Sequence, residues 1–143
     1  PVWREDPLVQ QTVGVATAQG FAARAIAVRA AEASQEAYLA RFLAVAGTGD
    51  AEAEERANQR AELDSAQGQI VLVELSLRAT SDVLNALSAS AASETKKLDR
   101  FWRNARTVSS HNPVIFKQRI VGDWAVNGTP VPYAWAIGAQ KPA

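Results

Sequence analysis

A chain of 143 residues that is 48% apolar and 21% charged has the composition of one globular domain with one hydrophobic core, which excludes an intrinsically disordered segment. No cysteine and a single histidine exclude a disulfide framework and a Cys/His zinc site, and a cytoplasmic setting with no metal is expected. The formal charge of zero lacks the basic footprint of a nucleic-acid binder, no apolar run approaches the roughly 18 residues of a membrane span, and no secretory pattern opens the chain.

The charge is unevenly spread. Residues 1–93 carry seven Lys/Arg against twelve Asp/Glu, a net −5, and residues 94–143 carry eight against three, a net +5. A basic C-terminal third can meet phosphate or an acidic surface, and it can equally be a solvated face.

In chain order, Asp6-Pro7 reads as an N-cap followed by proline at the first helical position. A long alanine-rich helix is expected from there to Ala46. Its apolar positions include Val9, Val13, Ala16, Phe21, Ala25, Val28, Ala31, Tyr38, Phe42 and Val45, mostly three or four apart. The glycines of "AGTGD" stop it, and Asp50 caps a second long helix expected over Ala51 to Leu87. The first third of that helix, "AEAEERANQRAELD", is charged and should project into solvent. Its second half, "IVLVELSLRATSDVLNAL", should lie deep in the core.

After "SASAASET", with Ser93 as an N-cap, a third helix is expected over 94–110. Leu98, Phe101, Trp102, Ala105 and Val108 form its expected buried stripe, while Arg100, Asn104, Thr107 and His111 share another face. Asp99 and Arg103 make an i,i+4 pair. Pro113 forces Asn112 towards extended geometry and ends the helix near Ser110. A fourth, shorter helix should run from Pro113 to Asn127-Gly128, and the proline-containing tail "TPVPYAWAIGAQKPA" should be extended. The fold class is thus all-α, an antiparallel up-and-down bundle over 1–128 with an extended tail over 129–143.

Few motifs carry chemistry. No GxGxxG, Walker loop or GxSxG occurs, and Asn127-Gly128-Thr129 reads as a turn before it reads as a glycosylation acceptor. The PVP of the tail fits a strap on the bundle or a polyproline ligand. His111 stands at a helix C-terminus, where an imidazole can simply satisfy free carbonyls or can act as an acid or base.

The stretch "FWRNARTVSSHNPVIFKQRIVGDWAVNG" (101–128) resembles the C-terminal signature of flavin-dependent monooxygenases with the acyl-CoA dehydrogenase fold, in particular the two-component dibenzothiophene-type enzymes. "REDPLVQQTVG" (4–14) is similar to the start of the second helix of that family's C-terminal bundle. The resemblance implies the C-terminal domain of a longer flavoenzyme, about a third of it, and an acyl-CoA dehydrogenase C-terminal fold. It implies reduced FMN from a separate flavin reductase, a small-molecule substrate and a homo-oligomer, a tetramer in the full-length protein. It places His111 as the catalytic residue, with Ser110, Asn112 and Arg106 at the cofactor, and expects the isolated fragment to be inactive.

In acyl-CoA dehydrogenases proper, which hold FAD, a matching turn carries a catalytic glutamate where this chain has Asn112. An amide cannot abstract an α-proton, so FAD-linked thioester oxidation is the second expectation. The pattern departs at Val108, where relatives often have a second histidine, and at Ser90, near an arginine that reaches flavin phosphate. A non-catalytic assembly domain is the third expectation.

Overall fold

The computed structural model describes residues 2–87, 91 and 93–133. A 3₁₀ turn, Trp3–Glu5, precedes α1, Pro7–Val45. The Asp6 carboxylate caps α1, accepting from the backbone N–H groups of Leu8 (2.8 Å) and Val9 (3.4 Å), and the helix runs unbroken past Gly14 and Gly20. It closes on Gly47 at φ 73° and Gly49, whose N–H donates to the Leu43 carbonyl at 2.9 Å. A Cβ at Gly49 would lie 2.5 Å from the Ala44 nitrogen, so only glycine fits this tight return. Asp50 Oδ1 then accepts from the Glu52 N–H and α2, Ala51–Leu87, begins.

Three cross-links show that α1 and α2 run antiparallel: Arg41 to Glu54 (3.0 Å), Arg29 to Asp64 (2.9 Å), and Ile26 against Gly68. The contact seam of α1 is a regular one. Val9, Thr12, Ala16, Gln19, Ala23, Ile26, Ala30, Ala33, Ala37, Ala40 and Ala44 alternate steps of three and four, and each is buried or half-buried. That 3.5-residue period is the coiled-coil seam, and its run of alanines lets the helices pack closely. The stripe expected on α1 is therefore corrected: Phe21 is 79% exposed, and Val13, Val28, Tyr38, Phe42 and Val45 are also exposed. Apolar side chains occur on several faces of this helix, and close approach selects the small ones.

The same selection operates on α2. Its most enclosed residues are Ala66, with no exposure, and Gly68, while Ile70, Val73 and Leu75 are only half-buried and Val71 is exposed. The expected deep apolar core is thus replaced by an alanine and glycine core. Nor does the charged start project wholly into solvent, because Ala53, Glu54 and Ala57 are half-buried.

The third helix, α3, is Asp99–His111, which shortens the expected element by five residues at its start. The N–H groups of Lys96 and Lys97 both donate to the Ser93 carbonyl, and Lys97 adopts φ 50°, so residues 93–97 close a turn that cannot continue as helix. Ser93 pairs its hydroxyl with Thr95 and, among the described residues, caps no helix. The expected buried stripe of α3 also fails. Ser109 is its buried residue and Ala105 is half-buried, whereas Phe101, Trp102 and Val108 are exposed. Small residues face α2 here too.

Asn112 is extended (φ −121°, ψ 95°), as Pro113 requires, and α4 follows as Val114–Asn127, ending at Gly128 in the left-handed region. Gln69 with Asn112, Glu62 with Lys117 (2.5 Å) and Glu55 with Tyr133 step back along α2 as the chain advances. α3 and α4 therefore form one flank of the bundle, interrupted at Asn112-Pro113 and antiparallel to α2. Residues 129–133 are not helical. Val131 is 3% exposed, Thr129 Oγ1 donates to Asp123, and the Tyr133 hydroxyl donates to Glu55. The remaining expectation for the tail, 134–143, lies outside the described residues, as does Ser90. Among the described residues no helix is long and apolar enough to cross a membrane, and no three His, Cys, Asp or Glu groups gather to hold a metal ion.

Candidate functional site

The helix break at Asn112-Pro113 places His111 at the open end of α3, beside α2. An open cleft of about 920 Å³ lies where α1, α2 and α3 meet. Gly68, Leu72 and Val73 of α2 line one side, Ala105, Val108 and His111 of α3 the other, with Ala30 of α1 below. The volume suits a small organic ligand, and apolar walls broken by a few polar groups are the usual make-up of such a site.

The polar face foreseen on the third helix becomes part of this wall. Asn104, Thr107 and His111 line the cleft, while Arg100 does not and lies 5.0 Å from the ring centre of Phe101. The His111 side chain makes no hydrogen bond or ion pair among the described residues, so its two ring nitrogens are available to a ligand. Asn112 lines the cleft beside it. Arg106 and Ser110 do not: with Arg103 they follow a three- and four-residue step along another side of α3. The hydroxyls of Ser109 and Ser110 both donate to the Arg106 carbonyl, at 2.8 and 2.9 Å.

Two features escape inspection of the sequence. Gln69, 43 residues from Asn112, donates from Nε2 to the Asn112 carbonyl at 2.8 Å. No local pattern marks that glutamine out. The second feature is electrostatic. Among the described residues the cleft lining contains no Asp, Glu, Lys or Arg, and His111 is the one ionisable group there. The excess positive charge of the C-terminal third is partly consumed internally, since Lys117 pairs with Glu62 and Arg103 with Asp99. Lys96, Lys97 and Arg100 are exposed and lie off the cleft lining.

The break, the cleft and the helical hairpin coincide with a family match. Residues 2–115 match the family described as "Acyl-CoA dehydrogenase, C-terminal domain". The chain belongs to that family. A dibenzothiophene monooxygenase of Mycolicibacterium goodii is 30% identical over 130 residues, which cover 90% of this chain and 29% of that protein. One from Rhodococcus erythropolis is 40% identical over 57 residues, 39% of this chain and 14% of that protein. The crystal structure of FMN-bound TdsC from Paenibacillus sp. A11-2 superposes with a TM-score of 0.69 at 30% identity, covering 92% of this chain and 31% of that one. The complex of TdsC with FMN and indole matches equally. This acyl-CoA dehydrogenase C-terminal domain thus spans about a third of the length of the Mycolicibacterium goodii enzyme and of TdsC.

Proposed function

We propose that this domain forms one wall of the active site of a two-component, FMN-dependent monooxygenase that oxygenates a small, largely apolar molecule. The observation that carries the reading is an unpaired His111 on an apolar cleft in a domain that shares 30% identity with FMN-bound TdsC. A separate flavin reductase as partner, a homo-oligomeric, tetrameric assembly and a cytoplasmic location belong to the same reading. So does a division into a catalytic-wall bundle, 1–128, and a tail, 129–143, that straps it.

The residues fit part of the cofactor. A cleft with walls of Leu72, Val73, Ala105 and Val108 suits a flat aromatic ring, either the flavin's or a substrate's beside it. Among the described residues its lining offers no cation for a phosphate, which other segments would have to hold. Arg106 and Ser110 serve the cofactor only if it extends to the other side of α3. Reduced FMN, when bound, supplies the electrons that activate O₂. His111 then acts as a positioned proton donor at the reacting oxygen, for which imidazole is suited near neutral pH. Asn112 offers an amide to orient a ligand and no carboxylate to abstract a proton, and among the described residues no Asp or Glu lines the cleft to replace it, which disfavours FAD-linked thioester dehydrogenation.

His111→Ala in the complete protein tests this. Loss of a positioned acid typically costs about 100- to 10,000-fold in the step it serves. Oxygen consumption from reduced FMN should continue while hydrogen peroxide replaces oxygenated product, with circular dichroism unchanged. Full coupling in the variant would remove the residue-level support for the reading.

A further inference from the structure

We infer that Gln69 is a positioning residue for His111, a latch from α2 that holds the α3–α4 break in the register that presents the imidazole to the cleft. The inference rests on the proposed role of His111. Among the described residues no backbone N–H donates to the Asn112 carbonyl. That carbonyl can only accept, so the side-chain nitrogen of Gln69 must face it, and it does at 2.8 Å. The same orientation turns Gln69 Oε1 to Asn112 Nδ2, at 3.5 Å. Two amides thus close on each other across 43 residues.

The position of this latch gives it consequence. Ser109, buried, anchors the last turn of α3, and Lys117, paired to Glu62, anchors the first turns of α4. Between these anchors lie His111, Asn112 and Pro113, all exposed, and the Gln69 amide is the hydrogen-bonding link from α2 to that segment. Asn112 is the residue next to His111, so displacement of its carbonyl rotates the end of α3 and swings the imidazole along the cleft wall. A displacement of about 1 Å at a catalytic group can cost on the order of 100-fold, because catalysis depends on near-attack geometry.

The experiment uses the complete protein with photochemically reduced FMN and dibenzothiophene or indole as probe substrate. Gln69→Leu removes both hydrogen bonds, and Gln69→Glu keeps the length but cannot donate to the carbonyl. Each should lower product formed per O₂ roughly tenfold or more, with the substrate KM changed less than about twofold and the thermal midpoint nearly kept. In the His111→Ala background, Gln69→Leu should add no further loss, since a residue acting through another is silent once that other is gone. Crystal structures of both Gln69 variants should show His111 displaced or split between conformers. The latch is overturned if the Gln69 variants stay coupled while His111→Ala uncouples, if the two losses multiply, or if the imidazole stays in place. Full coupling in His111→Ala sinks the catalytic reading instead, and the position of the imidazole in the crystals still decides the latch.

Discussion

Tyr133 and Glu55 tie the start of the tail to α2, and each alters the other's acidity. The phenol's hydrogen bond holds the Glu55 carboxyl below the usual carboxylate range, with Gln59 contributing, and the same bond raises Tyr133 above the usual range for a phenol. A depressed acid stabilises the fold above its unfolded value and loses that contribution as pH falls through the depressed value. A raised phenol stabilises below its unfolded value and loses its contribution as pH rises through the raised one. The Tyr133–Glu55 bond therefore contributes across the neutral range and less at either extreme of pH. Asp123 behaves like Glu55: hydrogen bonds from Asn127 and Thr129 lower it, so the turn around Gly128 loosens in acid. Glu55→Gln should lower the alkaline ultraviolet titration midpoint of Tyr133, and an unchanged midpoint would show that the two do not interact in solution.

At the level of the elements, the α1–α2 seam is intolerant of size. Ala33 is 1% exposed at the centre of a run of alanines, so Ala33→Leu should cost about 1–3 kcal/mol by overpacking. Ala31, exposed on the same helix, is the control, and Ala31→Leu should cost under about 0.5 kcal/mol; urea denaturation followed by circular dichroism compares them. α4 depends on a different device. Lys117 is buried and meets Glu62 on α2, so Lys117→Met leaves a carboxylate without that partner in a mostly enclosed site. That single change should destabilise by roughly 3 kcal/mol, and Glu62→Leu on top of it should restore most of the loss, because a buried pair replaced by apolar groups is often neutral. If the double variant is the less stable, the pair contributes net stability beyond its desolvation cost.

At the level of the whole molecule, much apolar surface faces outward. Phe21, Phe42, Trp102, Phe116 and Val126 are exposed on α1, α3 and α4, and surfaces of this kind commonly mark contacts with other protein. Residues 1–143 by themselves should self-associate or bind an apolar dye, and a strictly monomeric, dye-silent protein at high concentration would contradict this. They should also hold FMN weakly, since the cleft offers an aromatic-sized wall and, among the described residues, no cation for the phosphate. Stoichiometric FMN carried through purification would overturn that expectation.

The helix ends were legible because they are local: Asp6-Pro7, Gly47, Gly49, Pro113 and Gly128 each impose a backbone state within one turn of chain. Ser93 misled because a hydroxyl favours a cap and a closed turn alike, and the left-handed Lys97 decided for the turn. The likeness of 101–128 to the flavin monooxygenases was legible as well, along with the helical fold. Which apolar residues are buried was not. Periodicity finds faces that share a side of a helix, but α1 and α3 carry several, and only the distance of closest approach to α2 selects the alanines over Phe21 and Phe101. The cleft follows from the same fact, for it opens where α1, α2 and α3 meet, and no helix taken alone contains it. Gln69 is the extreme case. Its partner lies 43 residues away, its own neighbours give no sign of it, and only the antiparallel register of α2 against the α3–α4 flank brings the two amides together.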